Sequence, residues 1–292
     1  MMMMNRRSML GMTAAGAAAL ALPRIPAWAQ DGKKIPIGLQ LYSVRNDFAK
    51  DPDATLKAVA DMGIQGVEFA GYGKYANDPA GLRKKLDELG LKACGTHVGA
   101  NSFMGDAQKK TIEFHKTIGC SLLICPGDGR IMNAEKAKEF AEAFSKAAEQ
   151  LKPEGMACGF HNHDAEFKIG EGEKTWIDLF LERTSPDVFV QIDFGHALFA
   201  GVDCAALVRG KAKGRVRSCH VKGRLPRGTK DKQPFVGQDT GDWKSILTAC
   251  YEVGGTDWFT LEQEDYPNGR PPLDCVKISF EGLKKVLADM GK

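Results

Sequence analysis

The sequence predicts a (β/α)8 barrel, and three observations carry that prediction. Apolar strand-like runs alternate with amphipathic or Ala/Lys/Glu-rich helical runs eight times along about 260 residues, the length such a barrel needs. No Pro/Ser-rich linker, low-complexity tract or charge block interrupts this stretch, so residues 30–292 read as one domain. The last four strand-like runs also lead into metal-type ligands: His161, Asp193, His220 and Glu262. In a parallel barrel the C-terminal strand ends converge on one mouth, the face that carries the site.

The first half of the chain predicts strand 35–41 then helix 52–62, strand 66–69 then helix 79–89, strand 91–97 then helix 106–118, and strand 122–125 then helix 133–151. The second half predicts strand 157–161 then helix 175–183, strand 188–192 then helix 204–213, strand 216–221 then helix 243–253, and strand 258–261 then helix 273–288. Asp51-Pro52, Asn77-Asp78-Pro79 and Asn133 are helix starts, where a side-chain oxygen can accept from a free backbone N–H. Gly63, Gly90, Gly119 and Gly254-Gly255 are stops. A doubly wound open sheet is the alternative arrangement. The longest interruption, 222–242, is Gly/Lys/Arg-rich and predicts a functional loop over the mouth.

Residues 1–29 differ in kind. Asn5-Arg6-Arg7-Ser8-Met9-Leu10 precedes an Ala/Gly/Leu-rich run that ends at Ala27-Trp28-Ala29, with small residues where a signal peptidase reads. The apolar run is shorter than the ~20 residues of a membrane span, so stable membrane insertion is not expected once the leader is removed; a retained anchor is the alternative. Paired arginines before a weakly hydrophobic core resemble a twin-arginine signal, which predicts an exported or periplasmic protein. Removing Arg6, Arg7 and Arg24 takes the formal charge from +3 to 0, which gives no support to a nucleic-acid-binding surface.

The remaining composition, 43% hydrophobic and 26% charged, suits a soluble globular chain. No C-x-x-C pair occurs, and Cys94, Cys125, Cys158 and Cys219 lie in predicted strands, so mostly buried free thiols are expected. No phosphate loop or dinucleotide fingerprint follows a strand, and no Gly-x-Ser-x-Gly elbow appears.

A histidine after an apolar run is ordinarily a hydrogen-bonded core residue. His161 differs because His161-Asn162-His163 continues to Glu166, a density of polar groups that packing does not explain. Asp193 follows Phe189-Val190-Gln191-Ile192, where a bare carboxylate is costly to bury without a cation or several donors. His196 is three residues on and can face the same cavity. His220 and Lys222 share one side of an extended strand. Glu262 is followed by Glu264 and Asp265, acids that repel one another unless a cation or basic groups offset them. Gln40, Tyr42, Glu68 and His97 end the first three strands and are candidate substrate contacts, although polar caps there also have structural uses.

At these residues the chain resembles the sugar isomerase/epimerase superfamily with the xylose isomerase-like barrel. The resemblance covers nearly all of the mature chain. It rests on Gly38-Leu-Gln40-Leu-Tyr42-Ser-Val-Arg45, Gly66-Val-Glu68-Phe, Phe160-His161-Asn-His163-Asp-Ala-Glu166-Phe, Asp193-Phe-Gly-His196, His220-Val-Lys222 and Leu261-Glu262. The His-Asn-His-x-x-Glu-Phe pattern looks like a subgroup labelled only as sugar phosphate isomerase/epimerase. The resemblance implies a metal set of His161, Asp193, His220 and Glu262, holding Mn²⁺ first, with Co²⁺, Zn²⁺ or Mg²⁺ as alternatives. At His161 the epimerases usually carry a glutamate that binds metal and moves a proton, so Glu166 competes as base or ligand.

The expected reaction is isomerisation or epimerisation of a free sugar, keto-sugar or cyclitol through an enediolate. Glu166 or Glu262 serves as base, and Lys222 and His196 steady the oxygens that gain charge. His163 and His196 join the substrate contacts. A lyase or dehydratase acting on a 3-keto-glycoside or cyclitol at the same site is the alternative, and a non-catalytic periplasmic sugar binder is the rival from another class. A phosphodiesterase for abasic DNA would want more ligands and a basic groove. Homo-oligomerisation is left open.

Overall fold

The structure is a computed structural model describing residues 34–292, so the predicted leader at 1–29 lies outside the described residues. The described residues form ten strands: β1 Ile37–Gln40, β2 Gly66–Phe69, β3 Lys92–His97, β4 Leu122–Cys125, β5 Ala157–His161, β6 Ile169–Glu171, β7 Lys174–Thr175, β8 Phe189–Asp193, β9 Ser218–Lys222 and β10 Trp258–Glu262. Eight of them close a barrel in the order β1-β10-β9-β8-β5-β4-β3-β2, and each barrel pair is parallel. This is the predicted (β/α)8 architecture. The departure is the antiparallel β6–β7 hairpin inserted after β5, where the sequence reads as loop.

Strand alternation explains why the barrel closes around a mixed interior. Leu39, Val67, Phe160, Val190, Ile192, Val221, Phe259 and Leu261 belong to the main core with the surrounding helices. Residues of opposite parity, Leu122, Ile124, Ala157 and Phe189, form a separate small apolar cluster. Two glycines make room for large neighbours. A Cβ at Gly159 would lie 2.6 Å from the Phe189 ring, and one at Gly66 would lie 2.8 Å from the Trp258 ring.

Helix boundaries follow the expected caps. Asp51 accepts from Ala54 N, and Asp78 from Gly81 N, each with proline in the first turn. Asn133 caps a turn by accepting from Glu135 N and Lys136 N, and the helix proper begins later, at Ala137–Leu151. The predicted 243–253 helix is α over Trp243–Ala249 and then widens to π over Cys250–Gly254. All eight cysteines are buried free thiols. Among the described residues no helix is long and apolar enough to cross a membrane.

The segment after β9 is pinned at its C-terminal half. Phe235 and Val236 are buried, Gln263 Nε2 donates to Pro234 O at 3.0 Å, and Val236 N donates to Ser279 Oγ at 3.3 Å. Asp239 accepts from Trp243 Nε1 at 2.7 Å, while its Oδ2 is buried without a hydrogen-bond partner among the described residues. Burial therefore pushes its carboxyl up to about 6. Because the folded value lies above the unfolded one, Asp239 costs stability as pH rises through about 4 to 6. Asp239→Asn, which keeps an acceptor for Trp243, is expected to gain about 1–2 kcal/mol at pH 8 and nothing below pH 4, measured by urea unfolding; the new amide's unpaired N–H₂ offsets part of the gain.

Candidate active site

Strand register assembles the centre. Asp193 pairs with His220, Thr260 with His220, and Glu262 with Lys222. His220 Nδ1 is 3.0 Å from Glu262 Oε2 and 3.8 Å from Asp193 Oδ2. One ligand atom from each of Asp193, His220 and Glu262 lies within 4.8 Å of the other two, and all three residues are buried. His220 also belongs to a second such group, with His97 and His161. Three of the four expected ligands thus meet, whereas His161 clusters with His97 rather than with the carboxylates.

Asp193 is held by two backbone contacts. Its Oδ1 accepts from His196 N at 2.8 Å as the N-cap of helix Phe194–Phe199, and its own N–H donates to Asn162 Oδ1 at 3.1 Å. Asn162 therefore ties the end of β5 to the end of β8, a role that the His-Asn-His pattern did not suggest. Asp193 Oδ2 is buried with no hydrogen bond among the described residues.

Lys222 provides the nearest fixed positive charge. Its Nζ is 3.2 Å from Glu262 Oε2, 3.5 Å from Asp193 Oδ2 and 3.3 Å from His196 Nε2, and it also contacts Glu264. Gly195 permits this approach, since a Cβ there would lie 2.7 Å from Lys222 O. His196 is shared in turn with Asp164, at 3.1 Å, and with Arg224.

Burial works against ionising each of these acids and is outweighed. His97 and His220 hold the Glu68 carboxyl well below the usual range, and Lys222 and His220 do the same for Asp193. His220 and Lys222 likewise lower Glu262. For His161 burial prevails, reinforced by His220 and His97, and keeps the imidazole neutral, the form that binds metal. His220 is raised despite burial by Glu262 and Glu68. Lys222 is raised despite burial by Asp193, Glu262 and Glu264.

Tyr42, His97, His161, His163, Lys222, Glu262 and Glu264 line a cavity of about 340 Å³ at the mouth, together with Ala70 and Pro126. Tyr42 is exposed and carries Arg45 over its ring at 4.4 Å. Gln40 and Glu68 lie lower: both are fully buried and joined at 2.7 Å, and neither lines the cavity. Glu166 is also buried and turned aside, its Oε2 accepting from His163 N at 2.8 Å. It braces the His163 backbone.

The family pattern described as Xylose isomerase-like TIM barrel matches residues 56–286. The chain belongs to that family. This xylose isomerase-like barrel is 25% identical over 271 residues to the rhizopine catabolism protein MocC of Rhizobium meliloti, covering 81% of this chain and 82% of that protein. It is 24% identical over 271 residues to the inosose dehydratase of Serratia proteamaculans, covering 78% of this chain and 89% of the relative. A solved sugar phosphate isomerase/epimerase from Parabacteroides distasonis superposes with a TM-score of 0.70 at 24% identity, covering 84% and 93% of the two chains. A solved IolI protein with a bound zinc atom gives a TM-score of 0.59 at 16% identity, covering 87% and 97%.

The xylose isomerase-like site fits a divalent cation on its own chemistry. Its donors are imidazole nitrogen and carboxylate oxygen, and one of those oxygens, Asp193 Oδ2, is buried without a hydrogen-bond partner among the described residues, faced at longer range by Lys222 Nζ at 3.5 Å and His220 Nδ1 at 3.8 Å.

Proposed function

We propose that this protein uses a divalent cation to remove a proton next to the carbonyl of a free keto-cyclitol or keto-sugar. The observation that carries the reading is one cavity lined by Glu262 and by a charged pair, Lys222 and Glu264, with Asp193 and His220 buried against Glu262 outside the lining. Asp193, His220 and Glu262 would hold the cation, which when bound supplies Lewis-acid polarisation of a carbonyl. The mixed N/O donors and the zinc in the IolI structure support a divalent ion, and Mn²⁺ is our first choice.

Glu262 lines the cavity and is kept ionised by His220 and Lys222, so it can accept the proton from carbon. The C–H electron pair becomes the new C=C bond, and the carbonyl oxygen takes the negative charge. Lys222 Nζ, 3.2 Å from Glu262, is placed to donate a hydrogen bond to that oxygen. Glu166 is not assigned the base role, because its carboxylate is engaged with His163 N.

The enediolate has two fates. Return of the proton to the other carbon or face gives an isomer or epimer. Alternatively the β C–O bond breaks as the electrons move back, and the hydroxyl leaves with a proton as water. The dehydratase reading is favoured by the inosose dehydratases among the relatives, and the epimerase reading by the isomerase/epimerase architecture. The arginine pair near the start, read as a twin-arginine-type export signal, argues for an unphosphorylated substrate.

Incubating Mn²⁺-loaded protein with inososes and keto-sugars in D₂O is expected to place deuterium on carbon beside the carbonyl, or to produce an enone absorbing in the ultraviolet. Neither signal across the panel, from protein holding a stoichiometric cation, would leave a binding role and contradict the proposal.

A further inference from the structure

We infer that a buried Glu68–Gln191 pair, beneath the cavity and outside its lining, fixes which ring nitrogen carries the proton on His97, His161 and His220. This goes beyond the reaction proposed above and holds for any substrate.

The argument begins at Glu68, which is fully buried. Its Oε1 is 2.6 Å from His220 Nε2, 2.7 Å from Gln40 Nε2 and 3.1 Å from His97 Nε2, and its Oε2 is 2.6 Å from Gln191 Nε2. A carboxylate only accepts, so each of these neighbours must present hydrogen. Gln40 is independently fixed in that sense, because its Oε1 takes the Tyr42 N–H at 3.0 Å and leaves its amino group for Glu68.

Gln191 passes the polarity on. With its amino group on Glu68 and on Ser218 Oγ at 2.9 Å, its carbonyl faces His97 Nε2 at 2.8 Å and His161 Nδ1 at 3.0 Å. Turning the amide round would set its oxygen against the Glu68 carboxylate. A carbonyl oxygen has two lone pairs and accepts from both rings. Hydrogen therefore resides on Nδ1 of His161 and on Nε2 of His97 and His220. The lone pairs left for a cation or substrate are those of His161 Nε2 and His97 Nδ1; His220 Nδ1, 3.0 Å from Glu262 and 3.8 Å from Asp193, also presents hydrogen to these carboxylates, and a cation held there would displace that proton while Nε2 keeps its own on Glu68. Glu68 and Gln191 are positioning residues, acting through the imidazoles as outer-shell partners act on metal ligands.

Long-range ¹H–¹⁵N spectra of the full chain labelled with ¹⁵N-histidine, metal-free and Zn²⁺-loaded, are expected to show protonated Nδ1 on His161 and protonated Nε2 on His97 and His220. In Glu68→Gln the new amide's N–H₂ faces Gln191, whose amide must reverse, so the proton on His161 is expected to move from Nδ1 to Nε2 without any contact between positions 68 and 161. Cation affinity by calorimetry is expected to fall roughly 10- to 100-fold in the same variant. A wild-type spectrum with Nε2–H on His161, or with bare Nε2 on His220, overturns the inference, and so does a folded Glu68→Gln protein whose His161 is unchanged. If that variant fails to fold, the wild-type spectrum decides alone.

Discussion

Asp193→Asn is expected to lower turnover about 10³-fold or more while leaving the fold intact. The fold survives because asparagine still caps His196 N, the role of Asp193 Oδ1. What is lost is the anionic Oδ2, the buried oxygen without a hydrogen-bond partner among the described residues. An amide carries no charge to hold a divalent cation, and Lewis-acid polarisation is worth several kcal/mol of barrier at about 1.4 kcal/mol per tenfold in rate. Linkage supplies a second readout. Wild-type protein should melt higher as Mn²⁺ is added, by the equivalent of about 4 kcal/mol at a thousand times Kd, and the variant should not respond. An Mn²⁺-dependent shift of the same size in both proteins would remove Asp193 from the centre.

Lys222→Met is expected to destabilise the metal-free protein by about 3–5 kcal/mol, and Mn²⁺ is expected to restore most of that loss. Lys222 is buried and faces Asp193, Glu262 and Glu264, so its removal leaves acids close together without their fixed counter-charge. The pH dependence should change shape. In the wild type Asp193 and Glu262 are held below their unfolded values, so their contribution is present above about pH 4 and is lost as pH falls through the lower folded values. Without Lys222 the acids are driven upward, and the gap between wild type and variant should narrow on acidification. Urea unfolding at pH 4 and pH 7.5, with and without Mn²⁺, measures all of this. A variant as stable as wild type at pH 7.5 would mean that the buried acids are balanced elsewhere.

The barrel was legible because its signal is local. A run such as Phe189–Asp193 alternates residues bound for the helix layer with residues bound for the barrel interior, and parallel strands need helices between them, so periodicity and order define the architecture. Strand ends converge by topology, which is why Asp193, His220 and Glu262 could be grouped from the chain alone.

Contacts that span the barrel were not legible. Gln191 reads as one polar residue in a strand, and only closure brings it to Glu68, 123 positions away. The same closure buries Glu68 against His97 and His220, outside the residues that line the cavity. The placement of Glu166 was hidden for a different reason: a carboxylate near a histidine suggests chemistry from the sequence, and only the short 3-10 turn, Ala165–Phe167, shows its Oε2 set against the His163 backbone N–H. The β6–β7 hairpin escaped notice because Gly170 and Gly172 break its strand pattern, and a Cβ at Gly170 would collide with Trp176.

The central claim, a divalent centre on Asp193, His220 and Glu262, is tested most directly by counting bound metal after dialysis against Mn²⁺. The account predicts one ion per chain in the wild type and none retained in Asp193→Asn. A wild type that retains no ion, or an Asp193→Asn protein that retains a full equivalent, would contradict it.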